Sequence, residues 1–178
     1  MQYFSFYNII IKKDLINKFT YSKTKKLPRI EKVVLNFDCH PRTLKQLATN
    51  CLALELISKK PPQLTTIKKP NLRLKIKKGE LCGCKVILKK ISVIHFIETL
   101  SFEVLNLNKM SYFKLNKKSS KEATITIAHT LQFFGLAHHY QLFNKMDNLN
   151  ITIITTTQSN TELQFLLKSL KLPVNNHV

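Results

Sequence analysis

Tryptophan is absent, glycine occurs only at 79, 83 and 135, and arginine only at 29, 42 and 73. Three scattered glycines cannot build a loop that cradles a nucleotide phosphate. Acids are also scarce: ten Asp and Glu stand against 29 Lys and Arg in 178 residues. They are dispersed and offer no paired carboxylates for acid–base work. No apolar run reaches the ~18 residues that a membrane helix needs. The start, Met-Gln-Tyr-Phe-Ser-Phe-Tyr-Asn-Ile-Ile-Ile-Lys-Lys-Asp, shows neither a basic segment leading to a small-residue cleavage site nor an Arg- and Ser-rich amphipathic leader. The expectation is a protein made in the compartment where it works, with reduced thiols.

What is present is positive charge, formally +19, on a chain that is 44% hydrophobic. Such a chain buries a core, and its length fits a single domain spanning 1–178 with a basic arm at about 68–82. Residues 59–90 hold eleven basic side chains and one acid, Glu80, a surplus of ten from the total of +19. Within them, Leu72-Arg73-Leu74-Lys75-Ile76-Lys77 alternates apolar and basic. In an extended chain Arg73, Lys75 and Lys77 form one row at about 6.6–6.8 Å spacing, suited to a phosphate backbone. This charge implies a polyanionic partner, with the fold most stable when that partner is bound. The abundance of Lys, Asn, Ile, Leu and Phe resembles the product of an AT-rich genome, such as an organelle's.

Periodicity gives the elements. An N-terminal helix is expected within 3–19. Pro28 precedes a strand over 29–37, with Val33, Leu35 and Phe37 on one face and Lys32, Val34 and Asn36 on the other. Pro41 opens a helix over 42–57, striped by Leu44, Leu47, Cys51 and Leu54 and ended by Pro61-Pro62. A short strand at 63–67 leads into the arm, and Lys85 to Lys89 forms a strand with Val86 and Leu88 buried. A helix over 91–107 carries Ile94, Ile97, Leu100, Val104 and Leu107, and 108–121 reads as a loop. Strands follow at 124–130 and 150–157. Ser159 and Glu162 form a capping box before the stripe Leu163, Leu166, Leu167 and Leu170. The sum is an α+β fold, a mostly antiparallel sheet with helices packed on one side and an extended basic loop.

No catalytic set emerges. His138-His139 is a poor chelate, since adjacent strand residues face opposite ways. His95 reads as a boundary residue, and His129 as a half-buried one beside Ile125 and Ile127. Cys82-Gly83-Cys84 with Cys39-His40 lacks the Cys-x2-Cys spacing of zinc sites. All four cysteines, Cys51 included, read as small buried hydrophobes. No metal, cofactor or catalytic residue is therefore assigned. Paired RNP-type aromatic strands and a GXXG loop are also missing. The residues alone give a basic α+β nucleic-acid-binding protein. An RNA-modifying or RNA-processing enzyme would need a catalytic set, and a peripheral membrane protein would use the basic face with the apolar N-terminal segment.

Four stretches go further. Leu27-Pro28-Arg29-Ile30-Glu31-Lys32-Val33-Val34-Leu35-Asn36, Lys60-Pro61-Pro62-Gln63-Leu64-Thr65, Leu74 to Gly79 followed by Gly83 to Leu88, and Asn148 to Thr157 with Leu172-Pro173 stand in this order. Together they resemble the ribosomal protein L-five family, the large-subunit protein that binds 5S rRNA. Three departures stand out. The stretch from Asn108 to Glu122 lacks the family's glycines, 131–138 keeps only Gln132 of an acidic segment, and Leu72-Arg73 replaces an Ala-Gly pair.

The resemblance implies a structural, non-enzymatic constituent of the large subunit in the central protuberance, touching neighbouring proteins there. Lys32 and Asn36 would contact 5S rRNA or the equivalent rRNA, and Thr65 and Lys85 match family positions near that surface. The arm, through Lys68, Lys69, Arg73, Lys75, Lys77 and Lys78, would reach the elbow of P-site tRNA. A small-subunit head protein would be met across an intersubunit bridge. No membrane partner is implied. The expected location is the mitochondrion, ahead of a plastid.

Overall fold

Alternation of apolar and polar residues drives the strands, and it survives into the burial pattern. In β1 (Ile30–Phe37), Val33, Leu35 and Phe37 are buried while Lys32, Val34 and Asn36 are half-exposed. The computed structural model describes residues 7–37, 44–70, 77–105, 112–116, 119–144 and 146–174. Along the chain, a π-helical turn Tyr7–Ile11 runs into α1 (Lys12–Lys18), followed by β1, α2 (Leu44–Ser58), β2 (Gln63–Thr66) and β3 (Leu81–Lys89). Next come α3 (Ile91–Thr99), continued by a π-helical segment Leu100–Leu105, then β4 (Lys114–Leu115) and β5 (Glu122–Ile127). Two short helices, α4 (Phe134–Ala137) and α5 (Tyr140–Phe143), precede β6 (Leu149–Thr155) and α6 (Asn160–Ser169).

The strands form one six-stranded antiparallel sheet in the order β2-β3-β1-β6-β5-β4, so the fold is α+β. In β5, Ala123, Ile125 and Ile127 are buried and Thr124 and Thr126 exposed. In β6, Leu149, Ile151, Ile153 and Thr155 are buried. Such alternation belongs to a sheet with one face under helices and one face wet.

Contacts cluster in two units: residues 1–33, 88–125 and 151–178, and residues 34–87 and 126–150. In the first, Ile11 at the end of the π-helical turn and Leu15 of α1 are buried. Phe19, just after it, meets the Phe165 ring edge-on at 5.8 Å, with the Lys18 ammonium 4.4 Å from the Phe165 centroid. At the start of α6 the Glu162 N–H donates to Ser159 Oγ at 3.2 Å, as the capping box requires. The carboxylate reaches back one residue further than expected, accepting from the Gln158 N–H at 2.9 Å. Burial foremost, then the Glu162 carboxylate, pushes the Tyr21 phenol up to about 12. At the other end of α6, the Lys171 N–H donates to the Lys168 carbonyl at 2.9 Å and the Leu172 N–H to the Leu167 carbonyl at 3.0 Å. This Schellman closure places Lys171 at φ 59°, where glycine is the usual occupant.

In the second unit, α2 buries Asn50, Ala53, Leu54 and Ser58. Asn50 Nδ2 donates to Asp147 Oδ2 at 2.9 Å, so two buried polar groups satisfy each other. The stripe is rotated from the expected one: Leu44 is 77% exposed, and Leu52 and Leu56 also face outward. Leucines surround this helix on several sides, so their spacing does not single out the packed face.

Other departures are local. The strand expected from Lys85 begins at Leu81, so Cys82-Gly83-Cys84 lies inside it with all three residues buried. Cys82 is disulfide-bonded, against the expected reduced thiols, whereas Cys51 and Cys84 are free. Cys39 and His40 fall outside the described residues. The segment expected as a loop over 108–121 contains β4, paired to β5 through Lys114 with Thr124 and Leu115 with Ala123. His129 lies beyond the end of β5, at φ −103° and ψ 80°, and is exposed rather than half-buried. His138 and His139 sit in the turn between α4 and α5, not on a strand, and the His138 ring packs edge-on against Phe134 at 4.4 Å.

Candidate nucleic-acid interface

Lys32 and Asn36 stand on the same face of β1, opposite fully buried Val33 and Leu35. The inner residues anchor the strand by burial, and the outer ones keep their polar ends accessible. Neither Lys32 nor Asn36 is part of the core.

Thr65 and Lys85 are brought together by the β2–β3 ladder. Gln63 lies across from Lys85, Leu64 from Cys84 and Thr65 from Gly83, with a shift of register between Thr65 and Thr66. Cross-strand partners share a face, so Gln63, Thr65, Gly83 and Lys85 share one, and Cys84 stands on the other with Val86 and Leu88. The sheet order β2-β3-β1 makes the strands bearing Thr65, Lys85 and Asn36 consecutive.

Two residues on this face were not singled out from sequence. Gln63 becomes visible only through the register. Lys89 was within reach, because period two from Lys85 places it on the same side of β3, where it is exposed.

The arm grows from the same hairpin. Beyond Thr66 the ladder continues through the Gly79 N–H donating to the Ile67 carbonyl at 2.9 Å and the Ile67 N–H donating to the Glu80 carbonyl at 3.0 Å. These bonds close the base of the segment that carries the basic row. Gly79 adopts φ 90° there, and a Cβ placed on it meets nothing within 4 Å, so the constraint is conformational rather than steric crowding. Glu80 contributes its carboxylate: Oε2 accepts from the Lys77 N–H at 3.1 Å. The single acid of 59–90 thus shapes the arm's return, a role that composition conceals.

Lys68, Lys69, Lys77 and Lys78 are exposed at this base. Arg73 and Lys75 lie outside the described residues. The arrangement can present cations and polar groups to phosphates and sugars along a strand face and the base of the arm. Among the described residues no group of three or more His, Cys, Asp or Glu is placed to hold a metal ion, and no helix is long and apolar enough to cross a membrane.

No family model matches the chain. Over 175 residues, covering 95% of each protein, it is 30% identical to the large ribosomal subunit protein uL5m of Reclinomonas americana. It is 32% identical over 162 residues, 89% of each, to the uL5 protein of Baumannia cicadellinicola. To that of Mycoplasma pneumoniae it is 30% identical over 171 residues, 94% of each. With one mitochondrial and two bacterial relatives matched along nearly the whole length, the chain belongs to the uL5 family of large ribosomal subunit proteins.

Proposed function

We propose that this chain is a non-enzymatic structural constituent of a mitochondrial large ribosomal subunit, seated in the central protuberance beside neighbouring proteins. Its work is positional. Lys32, Asn36, Thr65 and Lys85 contact 5S rRNA or the equivalent rRNA, the lysines neutralising phosphates and the amide and hydroxyl fixing register. The arm, with Lys68, Lys69, Arg73, Lys75, Lys77 and Lys78, reaches the elbow of P-site tRNA. Across the subunit interface the protein meets a head protein of the small subunit.

The observation that carries this reading is the shared face of Thr65 and Lys85 on the β2–β3 ladder, at the root of the basic arm. A bound polyanion relieves the self-repulsion of a +19 chain, which favours assembly over the free state.

Sucrose-gradient sedimentation of organelle lysate tests it. The chain is expected to migrate with the large subunit and to leave it when high salt strips rRNA-bound proteins. Migration at the top of the gradient, with ribosomes intact, overturns the proposal. Neutralising Arg73, Lys75 and Lys77 together is expected to weaken tRNA contact while the chain still enters the subunit. Loss of incorporation contradicts that division between face and arm.

A further inference from the structure

Within the first unit lies a cavity of about 200 Å³ that the proposed RNA contacts do not use. Its walls are apolar: the ring of Tyr7 and the side chains of Ile30, Val93, Ile94, Ile97 and Leu170. Val93, Ile97 and Leu170 are buried, at 3–4% exposure, and form its floor. The Tyr7 hydroxyl donates to the Pro28 carbonyl, which fixes that ring as a wall and spends its polar end elsewhere. Two cations complete the lining, Arg29 and Lys90, both exposed.

Their placement is held by backbone. The Arg29 N–H donates to Thr156 Oγ1 at 3.1 Å, and the Thr156 N–H donates to the Arg29 carbonyl at 3.0 Å. Lys90 sits at φ 55° and ψ −128° immediately before α3, with its carbonyl accepting from the Val93 N–H at 3.1 Å. The result is an apolar hole with two positive charges at its edge.

Size and polarity select the occupant. The volume falls below the ~300–1,000 Å³ of ordinary small-molecule sites, so it suits one bulky side chain rather than a cofactor. A nucleobase would leave its edge donors and acceptors unpaired against aliphatic walls. An aliphatic or aromatic side chain loses nothing there, and neighbouring carboxylates would meet Arg29 and Lys90.

We infer that this cavity docks a segment of a partner protein in which a bulky apolar residue is flanked by acidic ones. This goes beyond the ribosomal reading and does not depend on it, since none of the residues assigned to rRNA or tRNA lines the cavity.

The test is a titration of the full chain, with labelled Ile, Leu and Val methyl groups, followed by NMR. The probe is acetyl-Glu-Leu-Glu-amide. Methyl signals of Ile30, Val93, Ile94, Ile97 and Leu170 are expected to shift at about millimolar peptide. Binding is expected to weaken at least about tenfold with acetyl-Lys-Leu-Lys-amide, with acetyl-Glu-Ala-Glu-amide, and in the Arg29→Gln/Lys90→Gln variant. Both substitutions are at exposed positions, so the variant's unchanged methyl spectrum verifies its fold. Sodium octanoate and uridine monophosphate are the competing arms. Absence of shifts with the Glu-Leu-Glu probe, equal binding of the lysine peptide, or tighter binding of octanoate or the nucleotide overturns the inference.

Discussion

Thr65 stands directly across from Gly83 in the β2–β3 ladder, and the next pair on that face is Gln63 with Lys85. Gly83 offers no side chain to cover the hydroxyl of half-exposed Thr65 on the face assigned to rRNA. Thr65→Val keeps the β-branched shape and removes the hydroxyl. Affinity for 5S rRNA is expected to fall by about 0.5–1.5 kcal/mol, the usual contribution of one hydrogen bond. Unfolding stability should change by less than about 0.5 kcal/mol, because a half-exposed position carries little of the core. Filter binding and urea unfolding read the two numbers. An affinity loss matched by an equal stability loss would assign Thr65 to the fold alone.

Gly79 holds the return of the arm at φ 90°, with open space where a Cβ would stand. Gly79→Ala therefore introduces backbone strain without a clash. The expected loss is about 1–2 kcal/mol, or a rearranged arm that avoids it. Denaturant unfolding measures the first outcome, and weaker tRNA protection in assembled subunits the second. A variant indistinguishable from the parent in both would place the arm's constraint elsewhere.

Lys171 occupies the left-handed position that closes α6. An L-residue there costs about 1–2 kcal/mol, while glycine loses about 0.5–1 kcal/mol more backbone entropy on folding. Lys171→Gly is thus expected to stabilise by roughly 0.5–1 kcal/mol, read as a higher urea midpoint at unchanged slope. Lys59, just after α2, also has a positive φ, 54°. In a chain with three glycines, lysine stands where glycine would be the stable choice.

The Cys84 thiol is 1% exposed. Burial first, then the neighbouring Cys51 thiol, pushes its pKa well above the ordinary 9.0. The unfolded chain therefore loses this proton before the native one does. The stabilising contribution is complete below about pH 9 and drains away as pH climbs toward the raised native value. Stability above pH 9 is expected to fall more steeply in the parent than in Cys84→Ala, by at most about 1.4 kcal/mol per pH unit. Parallel pH profiles of the two proteins would refute the assignment.

Local chemistry made some features legible in advance. Strict alternation located the buried face of β1 and hence Lys32 and Asn36, and the Ser159–Glu162 pair located the start of α6. Lys85 and Thr65 came from family resemblance, and their common face depends on a cross-strand register that no local period encodes. The helices α4 and α5, four residues each, pack on α2 and are too short for a helical period to appear. His129 was misplaced because β5 ends two residues before it, where the chain turns into the short 3-10 segment Thr130–Gln132. Arg73 and Lys75 remain readings of the sequence, outside the described residues.

The most direct test of the account is the salt dependence of 5S rRNA binding by the full chain, compared with Lys32→Glu, Asn36→Ala and Lys85→Glu. Each phosphate contact contributes about 0.7–0.9 to the slope of log affinity against log salt. Both lysine variants are predicted to bind more weakly with a slope shallower by about that amount, and Asn36→Ala to bind more weakly at unchanged slope. Three variants with the parent's affinity and slope would contradict the assigned face.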